Sequence, residues 1–313
     1  MAFSADEAIL QRSLLACSLR LFICAVVFKG IHELASFGYL RCLAMTTFLM
    51  ESINRILFIN YTCVVPSHDI THLTSSIFHF FYLCHMDVFG KALTDIYKTG
   101  EADTLWLHNS YGEPEEMPLE FFFRDDEDMP VLELQALHMC SGKVLDIGAG
   151  VGSHALLLQA FNIDVTAIDI SEAAVDIMKA RGVKKAFIQD VFTYQEKFDT
   201  IIMLMNGIGL TGTLPGFKDF LIKLKDLINP DGQVIFDSSD IAYLYEDMPK
   251  PQNQYYGEVS YQYEYKGEKG NWFNWIYIDE ATIKRTAHET GWDAELIFDD
   301  GEDQYLVKLT LAQ

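Results

Sequence analysis

The chain predicts an α/β fold, a doubly wound and mainly parallel sheet with helices on both faces. Three observations carry this. Between residues 143 and 239, short apolar runs alternate with helix-length stretches, the pattern of strand–helix–strand units. The run Val144-Leu-Asp-Ile147 breaks into Gly148-Ala-Gly-Val-Gly152 and passes at once into SHALLLQAF, so a buried strand turns directly into a helix. Beyond residue 251 the apolar period changes to two, which predicts an inserted β-hairpin.

Taken in order, residues 86 to about 98 form a helix stopped by Gly100. Residues 101–128 read as an irregular stretch, with turn residues Asn109, Gly112, Pro114 and Pro118 around Trp106, Tyr111 and Phe121-Phe-Phe123. Pro130 suits the start of a helix over residues 131–140. The strand at 144–147 and its helix at 153–161 follow. A second strand over 164–170 ends in the acidic Asp169, and Ser171 with Glu172 caps a helix that Gly182 ends. A third strand closes at Ile188-Gln-Asp-Val191, a fourth begins at Phe198, and Asn229-Pro-Asp-Gly232 turns into a fifth ending at Asp237. The hairpin pairs residues 259–265 with 272–278 across Lys266-Gly-Glu-Lys-Gly270. Asp279 caps a helix to about Thr290, and residues 292–298 and 304–311 read as two closing strands.

Charge divides the chain. Residues 1–85 hold five acids and five bases, so the whole net charge of −22 lies in residues 86–313. Five of the six cysteines and five of the nine histidines also precede residue 86. The break predicts a boundary there. The apolar runs at 14–28 and 34–50 contain Arg20 and Arg41, which a membrane span would avoid, and no signal-peptide pattern opens the chain. Residues 1–85 are therefore expected to be upstream sequence from an early start codon, with a membrane anchor or an extra folded domain as the other readings. His68 and His72 lack a matching partner pair, and no metal site is expected. In residues 86–313 Cys140 is the one cysteine, which excludes a disulfide framework and suits a reducing, cytoplasmic setting. Membrane association through residues 1–85 is the alternative location. Strong acidity argues against nucleic acid as a partner, whose phosphates need Lys and Arg.

The glycine loop favours a particular ligand. The dinucleotide fingerprint is G-x-G-x-x-G, whereas here the third glycine comes one residue early. The strand also ends in Asp146, which would repel a pyrophosphate but accept a hydrogen bond from an ammonium group. The expected ligand therefore has an amino-acid end, and the loop is expected to offer it bare N–H groups. Asp-Ile-Gly-Ala-Gly-Val-Gly152 resembles motif I of the class I S-adenosylmethionine-dependent methyltransferases of the small, bacterial type. The likeness runs on through Asp164-Val-Thr-Ala-Ile-Asp-Ile170, Ile188-Gln-Asp-Val191, the segment from Phe198 to Asn206, and Gly232-Gln-Val-Ile-Phe-Asp237.

That resemblance implies a Rossmann-like seven-stranded sheet whose last strand runs antiparallel, with S-adenosylmethionine as cofactor. It implies that Asp146 meets the cofactor's amino group and that Gly148, Ala149, Gly150 and Gly152 line its methionine part. Asp169 with Ile170 would hold the ribose, Asp190 with Val191 the adenine, and Asn206 would touch cofactor or acceptor. Trp106, His108 and Tyr111 are candidates for the acceptor side, because this family often closes the segment before the core over the cofactor. No catalytic residue is assigned, since an in-line displacement from a sulfonium needs mainly orientation and exclusion of water. His154, early in its helix, is expected to be solvated or capping.

Neither a Pro-Pro-aromatic motif after the fourth strand nor a Pro-Cys pair is present, which excludes two nucleic-acid-methylating subtypes. The hairpin aromatics, from Tyr255 to Tyr277, are expected mostly to pair across strands or form a dimer edge. A wall for an apolar acceptor is the other reading.

The expected organisation is residues 1–85 as an anomalous extension and 86–313 as the enzyme domain. Within the latter, 86–140 form pre-core helices and cap, 141–240 the cofactor half, 251–278 the aromatic hairpin and 279–313 the closing helix and strands. The expected function is methyl transfer to a small molecule. A non-catalytic binding module and a nicotinamide oxidoreductase are the alternatives, and a homodimer is left open.

Overall fold

The computed structural model describes residues 87–247 and 249–312. The readings made for residues 1–85 lie outside the described residues. Helix α1 (Val88–Thr99) starts where the Asp87 side chain accepts the Gly90 N–H at 2.6 Å and stops at Gly100, which is left-handed at φ 76°. Strands β1 (Leu105–Asn109) and β2 (Glu115–Met117) follow, then α2 (Val131–Met139) and β3 (Lys143–Ile147). The series continues with α3 (Ser153–Ala160), β4 (Asp164–Asp169), α4 (Glu172–Arg181), β5 (Ala186–Ile188) and β6 (Phe198–Met203). It ends with α5 (Leu214–Leu227), β7 (Ile228–Ser239), β8 (Glu258–Tyr265), β9 (Glu268–Lys269), β10 (Phe273–Ile276), α6 (Glu280–Glu289), β11 (Trp292–Asp299) and β12 (Gln304–Leu311).

The main sheet has seven strands in the order β11-β12-β7-β6-β3-β4-β5. Strands β3 to β7 pair in parallel, and β12 runs antiparallel to β7, so the expected sheet is present. The Asn229–Gly232 turn interrupts β7 as a register shift, with Phe198 opposite Ile228 but Thr200 opposite Gln233.

The alternation of side chains along each strand makes two cores. On one face Leu145, Ile201 and Val234 pack against Phe217, Phe220, Leu221 and Leu224 of α5, whose three- and four-residue spacing sets one apolar stripe. On the other, Val144, Ile202 and Ile235 pack against α2, α3 and α4 through Leu137, Leu158 and Met178. Each such fully buried side chain contributes about 1.5–3 kcal/mol of transfer free energy.

Two expectations are corrected. Residues 101–128 are not irregular, because they hold β1, β2 and a short 3-10 helix, Leu119–Phe123. The hairpin is not an isolated insertion either. Its strand β8 pairs with both β10 and β1, giving a second sheet ordered β10-β8-β1-β2, with β9 also on β8. Little local signal marks β1: it is five residues long, its near partner β2 has only three, and its long partner β8 lies far away, as with His108 and Glu264, 156 positions apart. No described helix is long and apolar enough to cross a membrane.

Candidate active site

Strands β3, β4 and β7 each carry an aspartate within two residues of their carboxyl end, Asp146, Asp169 and Asp237, and the glycine loop follows the first. Gly148 and Gly150 have φ of 67° and 55°, a region that side-chain-bearing residues rarely enter. A Cβ placed on Gly148 would meet nothing within 4 Å, so the backbone there borders open space. The N–H groups are not bare, contrary to expectation. Those of Gly148 and Ala149 both donate to the Ile168 carbonyl, at 3.0 and 3.1 Å, and that of Gly150 donates to Asp169 Oδ2 at 2.9 Å. The Gly152 N–H donates to the Ala149 carbonyl. The loop is stitched to β4, so it can receive a ligand by close approach but has few donors left for an anion. Gly152 serves packing, since a Cβ there would lie 2.7 Å from Val183 Cγ2 and 2.9 Å from Met178 Cγ.

Asp146, 2% exposed, has one carboxylate oxygen, Oδ2, with no hydrogen-bond partner among the described residues. Asp237, at the end of β7, is wholly buried and shares this property at Oδ1. Its Oδ2 accepts from the Asn206 N–H at 2.8 Å and from Gln304 Nε2 at 2.7 Å. Asp169 is satisfied on both oxygens, since Oδ1 accepts from the Ser171 N–H at 2.8 Å. Burial raises the pKa of all three from the usual 3.8 to about 6. The sequence places Asp237 at the close of the fifth strand and offers it, with Asp240, only as a weak metal ligand and not as part of the cofactor site, although it shares with Asp146 and Asp169 the signal of an acid near the end of an apolar strand.

Beside Asp146 lies a buried ionic chain. Arg124 Nη2 donates to Glu133 Oε1 at 2.6 Å, and Glu133 Oε2 meets His154 Nε2 at 2.7 Å. His154 is buried and paired, so the expectation of a solvated or capping residue fails. Burial disfavours its charge, but the hydrogen bond to Glu133 and the charges of Asp146, Glu133 and Asp237 outweigh that and raise its pKa. Burial likewise opposes ionisation of Glu133, and the hydrogen bond and charge of His154, with Arg124, more than reverse it.

These shifts give a testable sign. An acid with a raised folded-state pKa costs stability as pH rises through the range between its unfolded and folded values. For Asp146, Asp169 and Asp237 that range runs from 3.8 to about 6. The ligand-free protein is expected to need more urea to unfold at about pH 5 than at about pH 7. A midpoint that rises over this interval would contradict the desolvated burial of these acids.

Farther along the sheet edge, Asp190 caps a short 3-10 turn by accepting the Phe192 N–H at 2.9 Å, and Val191 is buried. Ile170, 57% exposed, and Phe192, 47% exposed, leave apolar surface beside Asp169 and Asp190. After β6, Met205 and Asn206 are both left-handed, at φ 61° and 56°, which non-glycine residues adopt at a cost. The Asn206 side-chain oxygen accepts from Ser239 Oγ at 3.1 Å.

The second sheet covers these strand ends with one face. Leu107, Tyr261, Tyr263, Phe273, Trp275 and Tyr277 share a cluster, and the Trp275 indole packs on Gly209, just after Asn206. Tyr111, Tyr261 and Tyr277 form a hydroxyl chain with both links at 3.1 Å, and Tyr111 reaches Glu115. The aromatics pair across β1, β8 and β10, as mostly expected, and Trp275 in addition reaches the loop after β6. Trp106 and His108 lie on the opposite face of β1. Trp106 is 42% exposed, and His108 pairs with Glu264 at 2.7 Å. Of the three acceptor-side candidates only Tyr111 turns inward. Among the described residues no cluster of His, Cys, Asp or Glu suits a metal.

Comparison with known proteins adds to this. A family model described as a methyltransferase domain matches residues 106–296. No curated protein matches the chain. A solved structure of an S-adenosylmethionine-dependent methyltransferase from Bacteroides fragilis, in complex with S-adenosyl-L-homocysteine, is 42% identical, with a TM-score of 0.69. That match covers 72% of this chain and 95% of the other. The CcbJ methyltransferase from Streptomyces caelestis is 13% identical, covers 60% of this chain and 99% of its own, and has a TM-score of 0.47.

Proposed function

The chain belongs to the class I S-adenosylmethionine-dependent methyltransferases, and we propose that it methylates a small-molecule acceptor by in-line displacement. One observation carries the proposal. Asp146, with its unpartnered oxygen, and the open surface at Gly148 lie one strand from Asp169, and an aromatic wall covers the strand ends. When bound, S-adenosylmethionine supplies a methyl group that already has a good leaving group, so the protein has mainly to hold and orient.

In this reading Asp146 binds the methionine ammonium while Gly148, Ala149 and Gly150 let the backbone come close. Gly152 holds α3 against α4. Asp169 accepts from the ribose hydroxyls. Ile170, Asp190 and Val191 border the adenine, with Phe192 as an apolar edge that the sequence did not reveal. Asn206, fixed by Asp237 and Ser239, stands between cofactor and acceptor. Tyr111, Tyr261 and Tyr277 face the acceptor. Burial holds all three phenols well above their ordinary pKa, so they act as hydrogen-bond donors and not as bases. The acidity of residues 86–313 favours a metabolite over nucleic acid as acceptor.

Labelled S-adenosylmethionine incubated with a metabolite extract tests this. Label is expected in the small-molecule fraction. Label confined to macromolecules would contradict the acceptor class, and binding without turnover would favour a non-catalytic module.

Residues 86–313 are proposed as the working, cytoplasmic domain. A shortened chain beginning at Met86 is expected to melt cooperatively and to bind S-adenosylhomocysteine. Aggregation of that chain would show that residues 1–85 cover apolar surface it needs.

A further inference from the structure

Asp237 holds Asn206 through one oxygen only, and its surroundings match those of Asp146. The two side chains lie on the same face of the sheet. Val144, Ile202, Ile235 and Leu306 all belong to the core on the α2, α3 and α4 side, and Asp146 and Asp237 continue the rows begun by Val144 and Ile235. Asp146 is level with Ile202, which is level with Ile235, so Asp237 stands two residues farther along, across β6. Each carboxylate has one buried oxygen without a partner, and these are the buried side-chain oxygens or nitrogens left so among the described residues. Asp237 is also held firmly, by the Asn206 N–H and Gln304 Nε2 on its other oxygen.

The charges do not balance. Arg124 pairs with Glu133, and His154 feels the charges of Glu133, Asp146 and Asp237, so two cationic groups stand against three acids and one negative charge remains when all are ionised. Asp169, from β4, adds a further negative charge but spends both oxygens on Gly150 and Ser171. A buried group of this kind either keeps a proton or takes in a cation. Two oxygens free to accept, and no donor among the described residues offered to them, describe a receptor for an ammonium group.

Resting on the reading that S-adenosylmethionine is the methyl donor, we propose that Asp237 is a second cofactor-binding carboxylate. With Asp146 it receives the ammonium end of the cofactor, while Arg124, Glu133 and His154 are positioning residues that hold the surrounding charge. Binding then replaces a proton held by the carboxylates with the ligand's ammonium, so protons are released on binding at about pH 6 and fewer at about pH 8.

Calorimetry with two probes tests this. S-adenosylhomocysteine carries the amino-acid end, and 5′-methylthioadenosine keeps the nucleoside and thioether without it. Asp237→Asn is expected to weaken S-adenosylhomocysteine about tenfold or more while leaving 5′-methylthioadenosine within about twofold. Titrations in buffers of different ionisation enthalpy are expected to show fewer protons released by the variant. Should Asp237→Asn fail to fold, Asp237→Ser, which keeps a small hydrogen-bonding side chain, is expected to show the same selective loss. An equal loss for both probes, or no loss for either, would overturn the assignment. If neither probe binds the unaltered protein, it is the methyl-donor reading that fails.

Discussion

Replacing Glu133 with alanine is expected to lower the unfolding free energy by about 3–5 kcal/mol, the range for breaking a buried ion pair by removing one partner. The glutamate side chain is 6% exposed, and its partners Arg124 and His154 are 15% and 9% exposed. Without it, two cationic groups stay in a poorly solvated place and a small cavity opens behind α2. The pH dependence supplies a second check. Glu133 has a lowered folded-state pKa, so its contribution is present above its ordinary value of 4.5 and is lost as pH falls through the folded one. His154 has a raised pKa, so its contribution is full below the ordinary 6.5 and is lost as pH rises through the folded value. The difference between the two proteins should therefore be largest between pH 4.5 and 6.5. Urea unfolding of both across that range measures it, and a loss below about 1 kcal/mol would mean the chain of charges is solvated.

Asp169→Ala is expected to weaken S-adenosylhomocysteine by about 1.5–3 kcal/mol, since two charge-assisted hydrogen bonds to ribose hydroxyls would vanish. The structure adds a cost that the strand-end position alone does not reveal. Asp169 also accepts from the Gly150 and Ser171 N–H groups, so its loss loosens the glycine loop and the start of α4. Asp169→Asn, which keeps an acceptor oxygen, should lose less affinity and little stability. A loss of stability in Asp169→Ala with S-adenosylhomocysteine and 5′-methylthioadenosine affinity unchanged would point to a purely structural role and remove Asp169 from the site.

Much of the fold was legible because its signals are local. Ser171 and Asp279 cap helices as expected, accepting from the N–H groups of Ala174 and Thr282, and Gly182 is left-handed where a helix was expected to stop. The acids that close β3 and β4 stand out against apolar strands. What stayed hidden depends on distant partners. The face of β1 is decided by β8, so Trp106 and His108 could not be told from Leu105 and Leu107 as inward residues. The pairing of Glu133 with His154 joins two helices, and neither residue differs locally from a solvated one. The stitching of the glycine loop follows from its register against Ile168 and Asp169, and composition carries no trace of it.

If the strand ends of β3, β4 and β7 hold S-adenosylmethionine, the full chain must bind its demethylated product. Calorimetric titration with S-adenosylhomocysteine and, separately, with NAD measures this. Saturable binding of S-adenosylhomocysteine and none of NAD is expected, because the Asp146 carboxylate beside the glycine loop would repel a pyrophosphate and the loop's glycine N–H groups are already used. Tight binding of NAD with no response to S-adenosylhomocysteine would contradict it.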